Sequence, residues 1–236
     1  PTTERITCPP ETTSPGARRA ESLQKDYVEA IRLLSREAAH WPGDTPADNA
    51  PWGPAPRVSI SLKLSSICPR LDPLDFDNAC EVAATCLRPI LRAARDQRAA
   101  VILDMEQFRL RDLTLAVVRL LFAEREFRDY PHLGVAVQAY LRDAEEDILD
   151  LVNLAHERST PIAIRLVKGA YWEEETGLAA REHWPSPVLL HKADTDAQFE
   201  RLARLLIEHS DCVHPVIASH NPRSVACGLA ACRAAG

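Results

Sequence analysis

What this 236-residue chain lacks excludes more than its composition asserts. Acidic residues outnumber basic ones, 34 to 28, for a formal charge of −6, so there is no basic excess to meet phosphates and a nucleic-acid binder is disfavoured. No uncharged apolar run approaches the roughly 18 residues that a membrane helix needs, and the N-terminus carries no apolar signal core; the expectation is a cytoplasmic protein. Only eight glycines are present, and they form neither a G-x-G-x-x-G fingerprint nor a P-loop, so a nucleotide cofactor must be held in another way. The seven cysteines contain no C-x-x-C pair, which favours free thiols in a reducing compartment over a disulfide or zinc framework. The single methionine is Met105 and the chain starts at Pro1; removal of an initiator or excision from a longer protein would both account for that.

What is present is regular. Residues 1–17 are rich in proline and threonine without an apolar period and read as a flexible tail. From Arg18 to about His40 a helix is predicted, with Tyr27, Ile31, Leu33 and Leu34 as its apolar stripe. The stretch WPGDTPADNAPWGPAP holds five prolines in sixteen residues and can be neither helix nor central strand, so residues 18–56 form a helix and linker. From residue 57 to 236 strand and helix alternate. Strands are predicted at 58–65, 100–105, 134–140, 161–167 and 212–219. Helices are predicted near 76–97, with Asp75 as N-cap and Pro89 as a kink, and near 111–124. Another opens with Asp143 and Glu146 in capping-box spacing, and helical segments follow near 170–181, 194–209 and from Pro222. Uninterrupted alternation means parallel strands joined by right-handed crossovers.

Two architectures suit such a chain, an open doubly wound sheet and a (β/α)8 barrel, and the polar residues separate them. The first strand sets Ser59, Ser61, Lys63 and Ser65 against Val58, Ile60, Leu62 and Leu64. A central strand of a doubly wound sheet is apolar on both faces. Asp104, Gln138, Arg165 and His220 each fall at or near the C-terminal end of an apolar run, the end at which barrel enzymes build their sites. Singly, each has an ordinary explanation: a surface arginine, a satisfied loop glutamine, a helix cap at His220 and Asn221, a structural Lys63–Asp104 pair. Together they share one layer and one direction.

The runs VSISLKLSS, LDMEQ, VAVQAYLRD, IRLVKGAYW and ASHN, in that order and spacing over residues 50–225, resemble the proline dehydrogenase family, and most nearly the proline dehydrogenase domain of bacterial bifunctional enzymes of the proline utilization A type. The resemblance implies a distorted (β/α)8 barrel that holds FAD, oxidises L-proline to Δ1-pyrroline-5-carboxylate by hydride transfer from proline C5 to flavin N5, and passes electrons to a quinone at the inner-membrane surface. Lys63 then resembles the lysine that meets the substrate carboxylate, and Asp104 the aspartate beneath the substrate, a catalytic position. Met105 and Gln138 resemble flavin contacts. Arg165 resembles the arginine at flavin N5, a catalytic position, and Lys168, Gly169 and Ala170 the segment beyond the ring. Tyr171 and Trp172 belong to the same motif, facing substrate and cofactor. Ser219 and His220 resemble a Thr-His pair on the flavin, with serine keeping the hydroxyl.

The resemblance also implies three further strands and a final helix with two carboxylate-clamping arginines, as well as a tyrosine of the site. The chain thus reads as five βα units of an incomplete barrel from a larger protein, with a fused or associated aldehyde dehydrogenase domain as a partner, and as inactive by itself. Two alternatives stand beside it. One is a non-catalytic assembly module that retains the motifs, which flavin colour would separate. The other is a metal-dependent barrel lyase or aldolase using Asp104, Glu106 and His220, which metal analysis would separate.

Overall fold

The computed structural model describes residues 16–43, 49–50, 53–68 and 71–235. Residues 1–15 of the expected tail, and residues 44–48 and 51–52 of the proline-rich linker, lie outside these. Helix α1 spans Ala17–Ala38 and buries Ala20, Tyr27, Ile31 and Ala38. Leu33, expected in that stripe, is 48% exposed instead, because it lies two residues from Ile31 and therefore on another face. After α1 a two-residue antiparallel ribbon pairs Asn49 with Pro54 and Ala50 with Gly53, the only regular structure described in the linker.

The chain divides into two compact units. One takes in the described residues up to Asp104 together with Leu113–Leu133, and the other Met105–Asp112 together with the described residues from Gly134 onward. In the first unit, strands β1 (Ser59–Leu62) and β2 (Ala100–Leu103) are parallel, with Ser59 opposite Ala100 and Leu62 opposite Leu103. The expected strand at 58–65 stops short because the chain winds at once into helix α2 (Leu64–Ile67). Ser66 is the local cause. Both its backbone N–H (3.2 Å) and its hydroxyl (2.7 Å) donate to the Lys63 carbonyl, and such short-range serine bonds compete with a ladder.

Helix α3 (Phe76–Gln97) packs on α1 and α2 and buries Ala83, Ala84, Leu87, Ile90 and Ala94. Asp75 occupies its N-cap position, but the carboxylate accepts from Asn78 Nδ2 (2.6 Å) and makes no backbone cap. Asp72 caps the preceding 3-10 turn, Pro73–Asp75, accepting from Leu74 N (3.0 Å). Arg88 clasps Glu124, and Arg92 clasps Glu126, so α3 is pinned to the chain that follows helix α4 (Arg111–Ala123).

In the second unit, β3 (Leu133–Gln138), β4 (Ile162–Val167) and β5 (Val213–Ile217) lie side by side and parallel. Gly134 faces Ala163, Gln138 faces Val167, Ile162 faces Val213 and Leu166 faces Ile217. A Cβ on Gly134 would stand 2.0 Å from the Ala163 carbonyl oxygen, so the strands can only meet there over glycine. Helices α5 (Ala144–Arg158), α6 (Trp172–Glu182), α7 (Lys192–Glu208) and α8 (Pro222–Ala235) complete the alternation. The capping box expected at Asp143 is not formed, since Asp143 holds the N-cap position without a side-chain bond. The first turn is instead held by Asp147, whose carboxylate takes a two-pronged bond from Arg111 (2.6 and 2.8 Å). Burial keeps the Asp147 carboxyl above its ordinary pKa even against that guanidinium. No helix among the described residues is long and apolar enough to cross a membrane.

Candidate functional site

Two of the expected site residues belong to the first unit. Asp104 follows β2, and its N–H donates to the Leu62 carbonyl (2.8 Å), so the ladder runs one step past both strands. That step sets Lys63 beside Asp104 at the C-terminal ends of β1 and β2, both half-buried.

The remaining residues belong to the second unit, and the strand register decides where they go. Paired residues of parallel neighbours share a face. One face of this sheet therefore carries Gly134, Ala136 and Gln138 from β3, Ala163, Arg165 and Val167 from β4, and His214 and Val216 from β5. Arg165 is flanked by Ala136 and Val216 and is only 9% exposed. The small residues around it, Gly134, Ala136 and Ala163, leave the volume that a guanidinium needs.

Gln138, 1% exposed, uses both ends of its amide on backbone. Nε2 donates to the Glu106 carbonyl (2.9 Å), and Oε1 accepts from Ala170 N–H (3.3 Å). The side chain thus locks the buried Met105–Glu106 stretch to the segment after β4. Glu175 makes a second tie, accepting from Phe108 N–H (2.6 Å), and burial raises its carboxyl above the ordinary value.

Gly169 has φ +135°, and a Cβ there would lie 2.5 Å from the ring of Tyr140; both the backbone and the close approach demand glycine. Tyr140 is 3% exposed, and its phenol is pushed up by burial and by the nearby Glu175 carboxylate. Together, Tyr140, Lys168, Gly169, Trp172, Leu190, Lys192, Thr195 and Asp196 line a cleft of about 390 Å³. Lys168 does not stand alone in it. Its ammonium pairs with Asp196, which also takes Lys192, and it lies 5.5 Å from the Phe199 ring centre. Two ammonium groups share one carboxylate, so the cleft keeps one positive charge in excess, at the N-terminus of α7. Tyr171 holds the N-cap position of α6 and is half-buried; Trp172, 43% exposed, donates its indole N–H to the Leu189 carbonyl (2.9 Å).

Ser219 and His220 follow β5 and take no part in the cleft lining. The Ser219 hydroxyl accepts from Asn221 N–H (3.1 Å), and Asn221 Oδ1 accepts from Arg223 N–H (3.0 Å), so this stretch serves as the cap of α8, while His220 is exposed. The sequence reading missed His214, buried at 7% on the Arg165 face one pair upstream. The alternation in CVHPVIAS was the available signal. Among the described residues, the one His/Cys/Asp/Glu group whose donor atoms fall within 4.8 Å of one another is His156, Asp211 and Cys212. It includes none of Asp104, Glu106 and His220, the residues a metal-dependent lyase would use.

A family model for proline dehydrogenase matches residues 11–236. The chain belongs to the proline dehydrogenase family. Among curated relatives, the bifunctional protein PutA of Klebsiella aerogenes is 30% identical over 71% of this chain and 13% of its own length. Proline dehydrogenase 1 of Bacillus subtilis strain 168 is 33% identical over 71% of this chain and 45% of its own length. The crystal structure of proline utilization A from Bdellovibrio bacteriovorus superposes with a TM-score of 0.91 at 35% identity, over 95% of this chain and 23% of that one. The chain therefore spans less than half the length of these relatives. The α/β fold, with five strands followed by helices, is that of the proline dehydrogenase domain, as the barrel-type polarity of the strands implied. The proline dehydrogenase family is generally flavin-dependent.

Proposed function

We propose that this chain is the N-terminal part of a proline dehydrogenase barrel that binds FAD and, in its intact protein, oxidises L-proline to Δ1-pyrroline-5-carboxylate. The observation that carries this reading is the second unit's strand end. A buried arginine lies on the sheet face, a glutamine braces the following backbone, and an exposed glycine with φ +135° opens onto a cleft with two lysines, two aromatic rings and a helix N-terminus. A dinucleotide asks for such a surface: close backbone approach, excess positive charge and the positive end of a helix for its phosphates. The residues present thus fit the cofactor. The pairing of Lys168 with Asp196 modifies the expected role, since Lys168 and Lys192 would act on phosphate as a pair sharing one counter-charge.

When bound, FAD supplies the two-electron acceptor for the C5–H bond of proline. Arg165 presents a rigid fork of donors, so it would orient the cofactor and stabilise an electron-rich product by a preorganised charge. Gln138 positions the Ala170 backbone. In the first unit Lys63 anchors the substrate carboxylate, and Asp104 beside it belongs to the polar network of the substrate, with Tyr171 the aromatic contact of the motif. Met105, Trp172, Ser219 and His220 remain cofactor contacts in this reading. In this reading a quinone at the membrane surface would be the electron acceptor, and a fused or associated aldehyde dehydrogenase the partner that takes the product. The test is anaerobic addition of L-proline to the intact protein after FAD loading. A yellow protein that bleaches with proline is expected; a colourless protein, or a flavin that proline leaves oxidised, overturns the proposal.

A further inference from the structure

The second unit brings three metal-ligating side chains together at the end of its strands opposite the cleft. His156 lies in the last turn of α5, exposed, and its carbonyl accepts (3.0 Å) from the N–H of Ser159, the left-handed residue (φ 51°) that ends the helix. Only Thr160 and Pro161 then separate that helix end from β4, which starts at Ile162. On the neighbouring strand, α7 ends at Glu208, and the N–H groups of Cys212 and Val213 both return to the His209 carbonyl (3.1 and 3.0 Å), so a tight turn delivers Asp211 and Cys212 to the start of β5. Ile162 stands opposite Val213 in the ladder, and its N–H donates to the Cys212 carbonyl (3.4 Å). That register sets the end of α5 against the turn before β5. One donor atom from each of His156, Asp211 and Cys212 lies within 4.8 Å of the others.

We propose that His156, Asp211 and Cys212 form a zinc site that fastens the end of α5 to the entry of β5. An imidazole nitrogen, a carboxylate oxygen and a thiolate sulfur are donors that Zn²⁺ accepts together, whereas Mg²⁺ and Ca²⁺ ask for oxygen alone. Such a set needs a single cysteine, so no C-x-x-C pair announces it. Around a tetrahedral Zn²⁺ the donors stand about 3.5 Å apart, and the side chains have only to close by about 1 Å to reach that spacing. Burial divides the work between them. Cys212 is 8% exposed, with its Sγ 3.5 Å from the His209 carbonyl, and so supplies the fixed donor, while His156 and Asp211 are exposed and can turn toward the ion. Binding displaces the thiol proton to solvent; the two positive charges of the metal then meet one carboxylate and one thiolate, and water takes the fourth position. Arg165 and the cleft belong to the other end of β4, so the metal braces the β4–β5 pairing and takes no part in the oxidation. The inference rests on the packing of the second unit and stands apart from the proline reading.

The test is titration of the untagged, chelator-stripped protein with Co²⁺, followed by Zn²⁺. About one equivalent of Co²⁺ per chain should produce a thiolate-to-cobalt charge-transfer band and the intense visible bands of tetrahedral cobalt, and Zn²⁺ should bleach both. Excess Zn²⁺ should raise Tm by about 5 °C, and the same excess of Mg²⁺ should not. Cys212→Ser should abolish the charge-transfer band, and His156→Gln and Asp211→Asn should each weaken Co²⁺ binding by about tenfold or more. A charge-transfer band that survives Cys212→Ser, unchanged affinity in His156→Gln or Asp211→Asn, or no thiolate band in the unmutated protein would overturn the proposal. Because His156 and Asp211 are exposed, their variants decide the matter even where Cys212→Ser folds poorly.

Discussion

Arg165 and Lys168 stand three residues apart on one strand end, yet the fold treats them in opposite ways. Arg165 lies within β4, flanked by Ala136 and Val216, and the register leaves its side chain nowhere else to go. Lys168 lies one residue past the strand, half-buried at the cleft, with Asp196 of α7 as its counter-ion. A cation placed by a ladder is fixed by every hydrogen bond of that ladder. One placed by an ion pair near solvent is held by an interaction worth at most about 1 kcal/mol. The first can be a preorganised charge; the second can change partners when an anion arrives.

Substitutions that break this contrast should scale accordingly. The largest effect is expected for Arg165→Met in the FAD-loaded intact protein. Flavin reduction by proline, followed by stopped flow, should slow by about 100-fold or more, with the circular dichroism spectrum unchanged. Arg165→Lys should recover only part of the loss, because an ammonium lacks the planar fork. Wild-type reduction in Arg165→Met would show that the buried cation has no privileged role.

One residue beyond the outer cation, Gly169→Ala tests the backbone that follows Lys168. The positive φ and the Tyr140 ring together should cost about 1 to 3 kcal/mol, read as a lowered midpoint in urea denaturation. Trimming Tyr140 as well should relieve the steric part and leave the backbone part. An unchanged midpoint in Gly169→Ala would mean that the segment relaxes freely.

The outer cation calls for a smaller change with a definite sign. Asp196→Asn removes the shared counter-charge from Lys168 and Lys192, so pyrophosphate binding measured by calorimetry should tighten by several-fold, while Lys168→Gln should weaken it by a similar factor. Tightening in both variants, or in neither, would dissolve the distinction between a fixed and an exchangeable charge.

The smallest effect is in the pH dependence of stability. Hydrogen bonds from Lys168 and then Lys192 hold the Asp196 carboxyl below its ordinary pKa. A depressed carboxyl stabilises the fold above its unfolded pKa, and the contribution is lost as pH falls through the lower folded value. The stability gap between wild type and Asp196→Asn should thus be under about 1 kcal/mol at neutral pH and close in acid below the usual aspartate range. A gap that widens in acid would contradict the assignment.

Much of this was legible in the sequence, because it depends on neighbours along the chain. The period-two alternation of IAIRLV put Arg165 on the face opposite Ile162, Ile164 and Leu166, and the strands and helices formed close to where the patterns placed them. The motif order in VSISLKLSS, LDMEQ and IRLVKGAYW carried the family, since it reports on position in a repeated βα path. The early end of β1 and the unused capping position at Asp143 were less legible, because each is settled by which acceptor or donor lies nearest once the turn closes.

Other features were decided by tertiary structure alone. Asp196 meets Lys168 from 28 positions away, and Gln138 reaches the Ala170 backbone from 32. The Tyr140 ring demands glycine at 169 only after β3 and β4 have paired. A sequence pattern determines which way a side chain points from its own backbone. What it meets there depends on which distant segment the crossovers bring alongside, and that is settled when the sheet registers and the helices pack.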